Sequence, residues 1–403
     1  MICWKEKTIL LGVTGGIAAY KAAQLCSDLV KTGAKVHVLM SANATQFVSP
    51  LTFETLTGNK AAVDTFDRNF QWNVAHVSLA KRADVCMVVP ATANIIAKMA
   101  VGLADDMLST TLLAAGCPKI VAPAMNTGMY ENPVTMRNIQ TLKELGIAVV
   151  EPETGRLACA DTGKGKLARE EALFHALEVA LTKEKDLTGC RILITAGPTC
   201  EALDPVRYLT NHSTGKMGYA LAKAAQLRGA RVTLVTGPTV LEPPMGVETV
   251  PIFSANQMFD AVTSRQTSQD IIIKAAAVAD YRPASEAEDK IKKSEGEMEL
   301  KLARNPDILA WLGEHKPAGQ VLCGFSMETR DLIENSRQKL IRKHADMMVA
   351  NNLKVQGAGF GVDTNVATIL TKNRAEVLPQ MEKSQLADVI LDRALEFLKV
   401  KKK

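Results

Sequence analysis

Two stretches of this chain repeat one pattern of apolar and polar positions. In the first, the apolar run Thr8-Ile9-Leu10-Leu11-Gly12-Val13 leads through Thr14-Gly15-Gly16 to apolar residues at Ala18, Ala22, Leu25, Cys26 and Leu29. That spacing predicts a helix with one apolar face, ended by Thr32-Gly33 before a second run, Lys35-Val36-His37-Val38-Leu39. In the second stretch, Arg191-Ile192-Leu193-Ile194-Thr195-Ala196 precedes a helical pattern at Met217, Leu221, Ala224 and Ala225. Arg228-Gly229 stops that helix before Arg231-Val232-Thr233-Leu234-Val235, just as Gly33 precedes Ala34-Lys35-Val36. Each stretch reads as a βαβ unit, so the chain is expected to form two doubly wound, Rossmann-like α/β domains. Further apolar runs at residues 85–89, 119–122 and 271–273 suit parallel strands covered on both faces. Ligands of such sheets lie beyond the carboxyl ends of the strands, so the residues following each run are the candidates for chemistry.

Composition changes this picture little. With 403 residues, 47% apolar and 23% charged, the chain has ordinary globular composition and room for two or three cores. The net charge of +5 rests partly on Lys401-Lys402-Lys403; with 4% aromatics and no basic helix, no nucleic-acid partner is expected. No run is long enough to span a membrane, and no signal peptide precedes the first strand. The eight cysteines stand singly, without CxxC or zinc spacing, which fits a reducing cytoplasm. The charged run Lys183-Glu184-Lys185-Asp186 is the candidate hinge, giving domains at 1–182 and 190–403 with a linker at 183–189.

In the first half, the turn Gly15-Gly16 lacks the GxGxxG spacing of a dinucleotide site, and the second strand ends in Ser41-Ala42-Asn43 without an acidic residue for a ribose. What remains is a helix N-terminus suited to one phosphate, with Ser41 and Asn43 as further hydrogen-bonding groups; glycine simply fitting the turn is the competing reading. Other strand ends lead into Pro90-Ala91-Thr92-Ala93-Asn94 with Asp105-Asp106, and into Pro123-Ala124-Met125-Asn126-Thr127-Gly128-Met129-Tyr130. His76 is placed before a short helix, and Cys159 sits in Leu157-Ala158-Cys159-Ala160-Asp161-Thr162-Gly163. Taken singly, these two read as a packing histidine and a buried thiol. Together the residues resemble the flavin-dependent cysteine decarboxylase family, with PxMNxxM at 123–129 as its most specific mark. The resemblance implies a flavodoxin-like flavoprotein domain binding FMN through Thr14, Gly15, Gly16, Ser41, Asn43, Thr92 and Asn94. It also implies decarboxylation of the cysteine end of phosphopantothenoylcysteine, with His76 as the catalytic histidine, Asn126 holding the substrate carboxylate and Cys159 as proton donor. Direct loss of carbon dioxide from a cysteine carboxylate would leave an unstabilised carbanion, whereas prior oxidation of the thiol-bearing carbon provides an electron sink.

The second half carries Asn211-His212-Ser213-Thr214-Gly215-Lys216-Met217-Gly218, which has the look of a phosphate loop but not its pattern. A Walker A loop needs glycine where Thr210 stands and a hydroxyl residue where Met217 stands. The segment still offers backbone donors, an amide and a cation to an anion. Ala275 to Tyr281, Lys290-Ile291-Lys292-Lys293, Asn305-Pro306-Asp307-Ile308 and Gly324-Phe325 follow, then Lys339 and Lys343, which alone would read as solvated helix positions. In this order they resemble the phosphopantothenate–cysteine ligase family across 190–403, and both halves together resemble the bacterial bifunctional decarboxylase/ligase family of coenzyme A synthesis. The resemblance implies attack of a phosphopantothenate carboxylate on CTP, giving an acyl-cytidylate that the cysteine amine opens. Lys290 then serves acyl-cytidylate formation, Asn211 holds that intermediate, and Arg207 partners a phosphate or carboxylate. Asp280, Pro306, Asp307, Ile308, Leu309, Phe325, Lys339 and Lys343 match CTP-binding positions, and Mg2+ would accompany the triphosphate. Lys274 departs from the pattern, which expects a small or apolar residue there. The family further implies a homo-oligomer built through both domains. An NAD-linked dehydrogenase and a non-catalytic flavin- or nucleotide-fold module are the competing readings; the missing fingerprint opposes the first, and the presence of His76, Asn126, Cys159, Asn211 and Lys290 opposes the second.

Overall fold

The computed structural model describes residues 4–67, 75–156, 162–182, 184–293, 298–328, 331–352, 359 and 361–401. The chain forms two compact units, Ile2–Lys183 and Glu184–Lys403.

In the first unit the strands are β1 (Thr8–Val13), β2 (Lys35–Met40), β3 (Val85–Ala91), β4 (Lys119–Pro123), β5 (Ala148–Val149), β6 (Glu153–Arg156) and β7 (Thr162–Lys166). The helices are α1 (Ala19–Lys31), α2 (Pro50–Thr57), α3 (Ala75–Arg82), α4 (Ala93–Val101), α5 (Met107–Ala114), α6 (Thr127–Tyr130), α7 (Pro133–Glu144) and α8 (Glu170–Leu181). The main sheet runs β2-β1-β3-β4-β5, all parallel, so the winding reverses between β1 and β3. Residues of β3 are buried along its whole length, which is why its sequence is a continuous apolar run rather than an alternating one. Helix α1 buries Ala19, Ala22, Leu25, Cys26 and Leu29, and Gly33 at φ 89° turns the chain into β2. Strands β6 and β7 form a separate antiparallel hairpin.

The second unit has strands β8 (Arg191–Ala196), β9 (Cys200–Ala202), β10 (Tyr208–Thr210), β11 (Arg231–Thr236), β12 (Glu248–Pro251), β13 (Ile271–Lys274), β14 (Tyr281–Pro283) and β15 (Leu302–Arg304). It continues with β16 (Val321–Glu328), β17 (Met347–Asn352), β18 (Thr364–Asn365), β19 (Ala367–Leu370), β20 (Ala375–Val377) and β21 (Met381–Glu382). Its helices are α9 (Lys216–Leu227), α10 (Ala255–Thr263), α11 (Ile308–Glu314), α12 (Leu332–Arg342) and α13 (Lys383–Lys401). The sheet order is β12-β11-β8-β13-β16-β17-β19-β20; the first six strands are mutually parallel, β19 pairs antiparallel with β17, and β20 pairs antiparallel with β19. Here the winding reverses between β8 and β13. Ile271, Ile272 and Ile273 are fully buried on alternating faces, and each contributes about 1.5–3 kcal/mol of apolar burial.

One local expectation changes. A hairpin, β9 with β10, separates β8 from α9, so the second opening is not a simple strand–turn–helix. The charged run read as a hinge is anchored at its far end: Lys185 Nζ donates to the Leu227 carbonyl at 2.6 Å, Asp186 pairs with Arg228, and Leu187 is core. Among the described residues no helix is long and apolar enough to cross a membrane.

Candidate active sites

At the β1/β3 reversal of the first unit, buried Thr14 ties the two strand ends together. Its Oγ1 donates to the Pro90 carbonyl at 2.7 Å and accepts from the Thr92 N–H at 3.1 Å. Gly15 packs on the segment after β2 so closely that a Cβ there would lie 2.5 Å from Asn43 Cβ. Gly16 has open space, its nearest neighbour being Thr92 Cγ2 at 3.8 Å. The first turns of α1 and α4 have no side-chain cap, whereas Ser41 caps the short helix at Ala42–Gln46. Thr14, Gly15, Gly16, Ser41, Asn43, Thr92 and Asn94 therefore all follow the carboxyl ends of three adjacent strands, β2, β1 and β3. Two uncapped helix N-termini there leave backbone N–H groups available to an anion.

Asn126 lies beyond the next strand, β4. Its Oδ1 accepts from the Gly128 N–H at 2.8 Å and starts α6. The β6/β7 hairpin presses directly on this turn. Met125 N–H donates to the Gly165 carbonyl, and Gly165, at φ 142°, leaves only 2.3 Å between a would-be Cβ and the Met125 oxygen. No other residue type fits that approach. Glu151 clamps the same region: it accepts from Lys164 Nζ at 2.8 Å, Lys143 Nζ at 2.9 Å and Tyr130 Oη at 3.0 Å. Burial works against ionisation of Glu151, but these donors prevail and lower its pKa to about 2. Cys159, between β6 and β7, lies outside the described residues. His76 sits within α3, not before it, and is partly buried. Asp105 and Asp106 both hold Lys98, and Asp106 also caps α5, so their charge is spent on local structure.

In the second unit a cavity of about 280 Å³ opens at the β8/β13 reversal. It brings together the first turn of α9, Lys274 at the end of β13 with Ala275 to Val278 after it, Asp280, Leu309, Phe325, Lys339 and Lys343. The loop before α9 has Gly215 at φ 79° as a cap without a side chain. Lys216, read from sequence as an open cation, is engaged instead: its Nζ pairs with Asp363 at 2.7 Å and donates to the Gly361 carbonyl. Asp307 caps α11 and pairs with Lys343 at 2.9 Å, while Ile308 is buried in the core. Pro306, Asp307 and Ile308 thus frame the cavity without lining it. Lys383 and Asn365, at the cavity wall, had no sequence signal because they come from the far end of the chain.

Asn211 and Lys290 do not line the cavity. Asn211 Nδ2 donates to the Ala277 carbonyl at 3.0 Å. Lys290 is exposed, and the residue after it is fastened: Ile291 N–H donates to Asp204 Oδ2 at 3.1 Å, and Arg207 donates to the Ile291 carbonyl at 3.0 Å. Arg207 also grips Asp204 through Nε at 3.0 Å and Nη2 at 2.6 Å. Its fork is therefore engaged with a buried carboxylate of the protein itself. Arg207 and the N–H groups of Val206, Arg207 and Ile291 hold the Asp204 carboxyl well below the usual range, against the effect of burial. Replacing Asp204 with asparagine removes this charged acceptor. Exchange of the Ile291 amide is then expected to accelerate at least roughly tenfold in hydrogen–deuterium exchange. Unchanged protection would show that the segment is held by other contacts. Among the described residues no group of three or more His, Cys, Asp or Glu side chains is placed to hold a metal ion.

Comparison with known proteins adds to this geometry. Residues 3–181 match the family described as Flavoprotein, and residues 187–398 match the DNA/pantothenate metabolism flavoprotein C-terminal domain. The chain is 48% identical over 390 residues to the coenzyme A biosynthesis bifunctional protein CoaBC of Bacillus subtilis, covering 96% of both chains. It is 44% identical to the protein of the same name from Vibrio cholerae, covering 96% of this chain and 97% of the other. A crystal structure of the C-terminal domain of such a protein aligns at 46% identity over 53% of this chain and 99% of its own, with a TM-score of 0.46.

Proposed function

This chain belongs to the family of bifunctional coenzyme A biosynthesis proteins, and from that premise we propose how its two units divide the work. The chain is an enzyme with two activities, phosphopantothenate–cysteine ligase and phosphopantothenoylcysteine decarboxylase. The unit at 184–403 joins phosphopantothenate to cysteine with CTP, and the unit at 2–183 removes the carboxyl group of the product. The observation that supports this reading is that each unit has a winding reversal in its own sheet, with Thr14, Gly15 and Thr92 at the first and the cavity lined by Asp280, Phe325, Lys339 and Lys343 at the second, in one chain covered to 96% by its relative. The enzyme works in the cytoplasm on small molecules, as a homo-oligomer assembled through both units.

The first-unit site fits a mononucleotide flavin. The glycine notch at Gly15-Gly16 and the uncapped start of α1 suit one phosphate, and Thr14, Ser41, Asn43, Thr92 and Asn94 supply polar groups around it. FMN, when bound, supplies reversible two-electron chemistry at the thiol-bearing carbon of the substrate. The protein's own residues do the rest. Asn126 orients the substrate carboxylate by hydrogen bonding, so that loss of carbon dioxide is aligned with the electron sink. His76 exchanges a proton with the reacting end, and Cys159 delivers the proton that completes the thiol product. The Glu151 clamp and the Gly165 contact keep β7 against the Asn126 turn. Gly15→Ala tests the flavin assignment. The added methyl must displace Asn43, and the purified variant is expected to retain less than about a tenth of the wild-type flavin absorbance, with ligation unchanged. Full flavin content in that variant would place the cofactor elsewhere.

In the second unit, CTP occupies the cavity between the α9 N-terminus and the Phe325–Lys343 wall, with Asp280, Leu309 and Lys339 as further contacts and Mg2+ carried on its phosphates. Lys290 neutralises charge as the phosphopantothenate carboxylate attacks the α-phosphate and pyrophosphate leaves. Asn211 holds the acyl-cytidylate for attack by the cysteine amine, with CMP as leaving group. Arg207 acts through Asp204 and Ile291, as a positioning residue for Lys290.

A further inference from the structure

Lys274 closes β13, one residue before the turn at the β8/β13 reversal. It follows Ile272 in the alternation of the strand, which places it on the sheet face covered by α11 and α12. Its β-sheet neighbour is Gly324, where a Cβ would meet Leu309 Cδ2 at 2.6 Å, so the wall beside the lysine is tight and apolar. The side chain is only partly exposed and lines the same cavity as Asp280, Lys339 and Lys343. Lys343 has Asp307 as its counter-charge, and Lys216 has Asp363. The Lys274 ammonium has no hydrogen bond or ion pair among the described residues.

We propose that Lys274 is a recognition residue for the nucleoside triphosphate: its ammonium becomes a counter-charge for the bound anion, and the protein takes up a proton as that nucleotide binds. The proposal rests on the assignment of CTP to this cavity. Without an anion, burial and the charge of Lys343 depress the Lys274 ammonium to about 8, with Asp307 and Asp280 offsetting part of the effect. A triphosphate brings negative charge and restores the protonated form. Below about pH 8 the free protein already carries that proton, so binding is strongest there; above it, each nucleotide must recruit one. Lys383 also faces the cavity, its Nζ held by the Gly359 and Val362 carbonyls, and burial depresses it too, so the contribution of Lys274 is the difference between wild type and variant.

Titration calorimetry of the full-length flavin-loaded protein with CTP and magnesium chloride, in buffers of different ionisation enthalpy, reads this directly. At pH 8.5 the wild type is expected to take up roughly three-quarters of a proton more per nucleotide than Lys274→Met, and its affinity for CTP is expected to fall about tenfold between pH 7 and 9. Lys274→Met should bind more weakly at pH 7 with a flatter pH profile. Lys274→Arg should keep binding, with the same flattening, because its charge does not titrate. Phosphopantothenate is titrated in parallel, and its affinity should be the same in wild type and Lys274→Met. Equal proton uptake in wild type and both variants would overturn the proposal, as would a loss confined to phosphopantothenate. Wild-type protein that binds no CTP at all would instead overturn the assignment of the cavity.

Discussion

Asn126→Gln is expected to lower decarboxylation by roughly 10²–10³-fold while ligation proceeds at the wild-type rate. The extra methylene moves the amide by more than a bond length, so it can neither cap α6 at the Gly128 N–H nor meet a carboxylate placed for asparagine. Loss of the cap costs about 1 kcal/mol of local stability, too little to unfold a unit with its own two-faced core. The variant should therefore accumulate phosphopantothenoylcysteine from phosphopantothenate, cysteine and CTP, visible by mass spectrometry. Wild-type decarboxylation in this variant would remove Asn126 from the carboxylate. A matched fall in both activities would mean that the change acts on the whole chain.

Lys290→Gln should produce the opposite separation. Without its cation, acyl-cytidylate formation is expected to fall by roughly 10²–10³-fold, as for loss of a single transition-state donor. Pyrophosphate release from CTP in the presence of phosphopantothenate and the absence of cysteine reads this half-reaction alone. Supplied phosphopantothenoylcysteine should still lose carbon dioxide at the normal rate. Because Lys290 is exposed and its neighbour Ile291 is fixed by Asp204 and Arg207, the substitution removes a charge without releasing the segment. Normal pyrophosphate release would assign the step to another cation, with Lys339 the first to test.

The parts of the fold that sequence made legible are those governed by local spacing. The apolar periods of β1, α1 and β2, and of β8, α9 and β11, with Gly33 and Gly229 at the helix ends, follow from burial of one helix face against a parallel sheet. The strand orders that create the two reversals were not legible, because pairing of β8 with β13 joins residues some eighty positions apart and leaves no local trace. The inserted β9–β10 hairpin is short and half-exposed, so its periodicity is weak. At the sites, residue types were legible but their employment was not. Nothing in the sequence of Arg207 indicates that its guanidinium serves Asp204 and Ile291, and nothing around Lys216 indicates Asp363, 147 residues away. Gly165 reads as one glycine among several until the Met125 carbonyl is found against its α-carbon. Cys159, named from its motif, lies outside the described residues.

The central claim is that one chain first builds an amide with CTP and then strips the carboxyl group from what it has built. Purified full-length protein incubated with phosphopantothenate, cysteine, CTP and magnesium should convert them to phosphopantetheine, CMP, pyrophosphate and carbon dioxide, followed together by mass spectrometry. A flavin-loaded preparation that yields neither phosphopantothenoylcysteine nor phosphopantetheine under those conditions would contradict it.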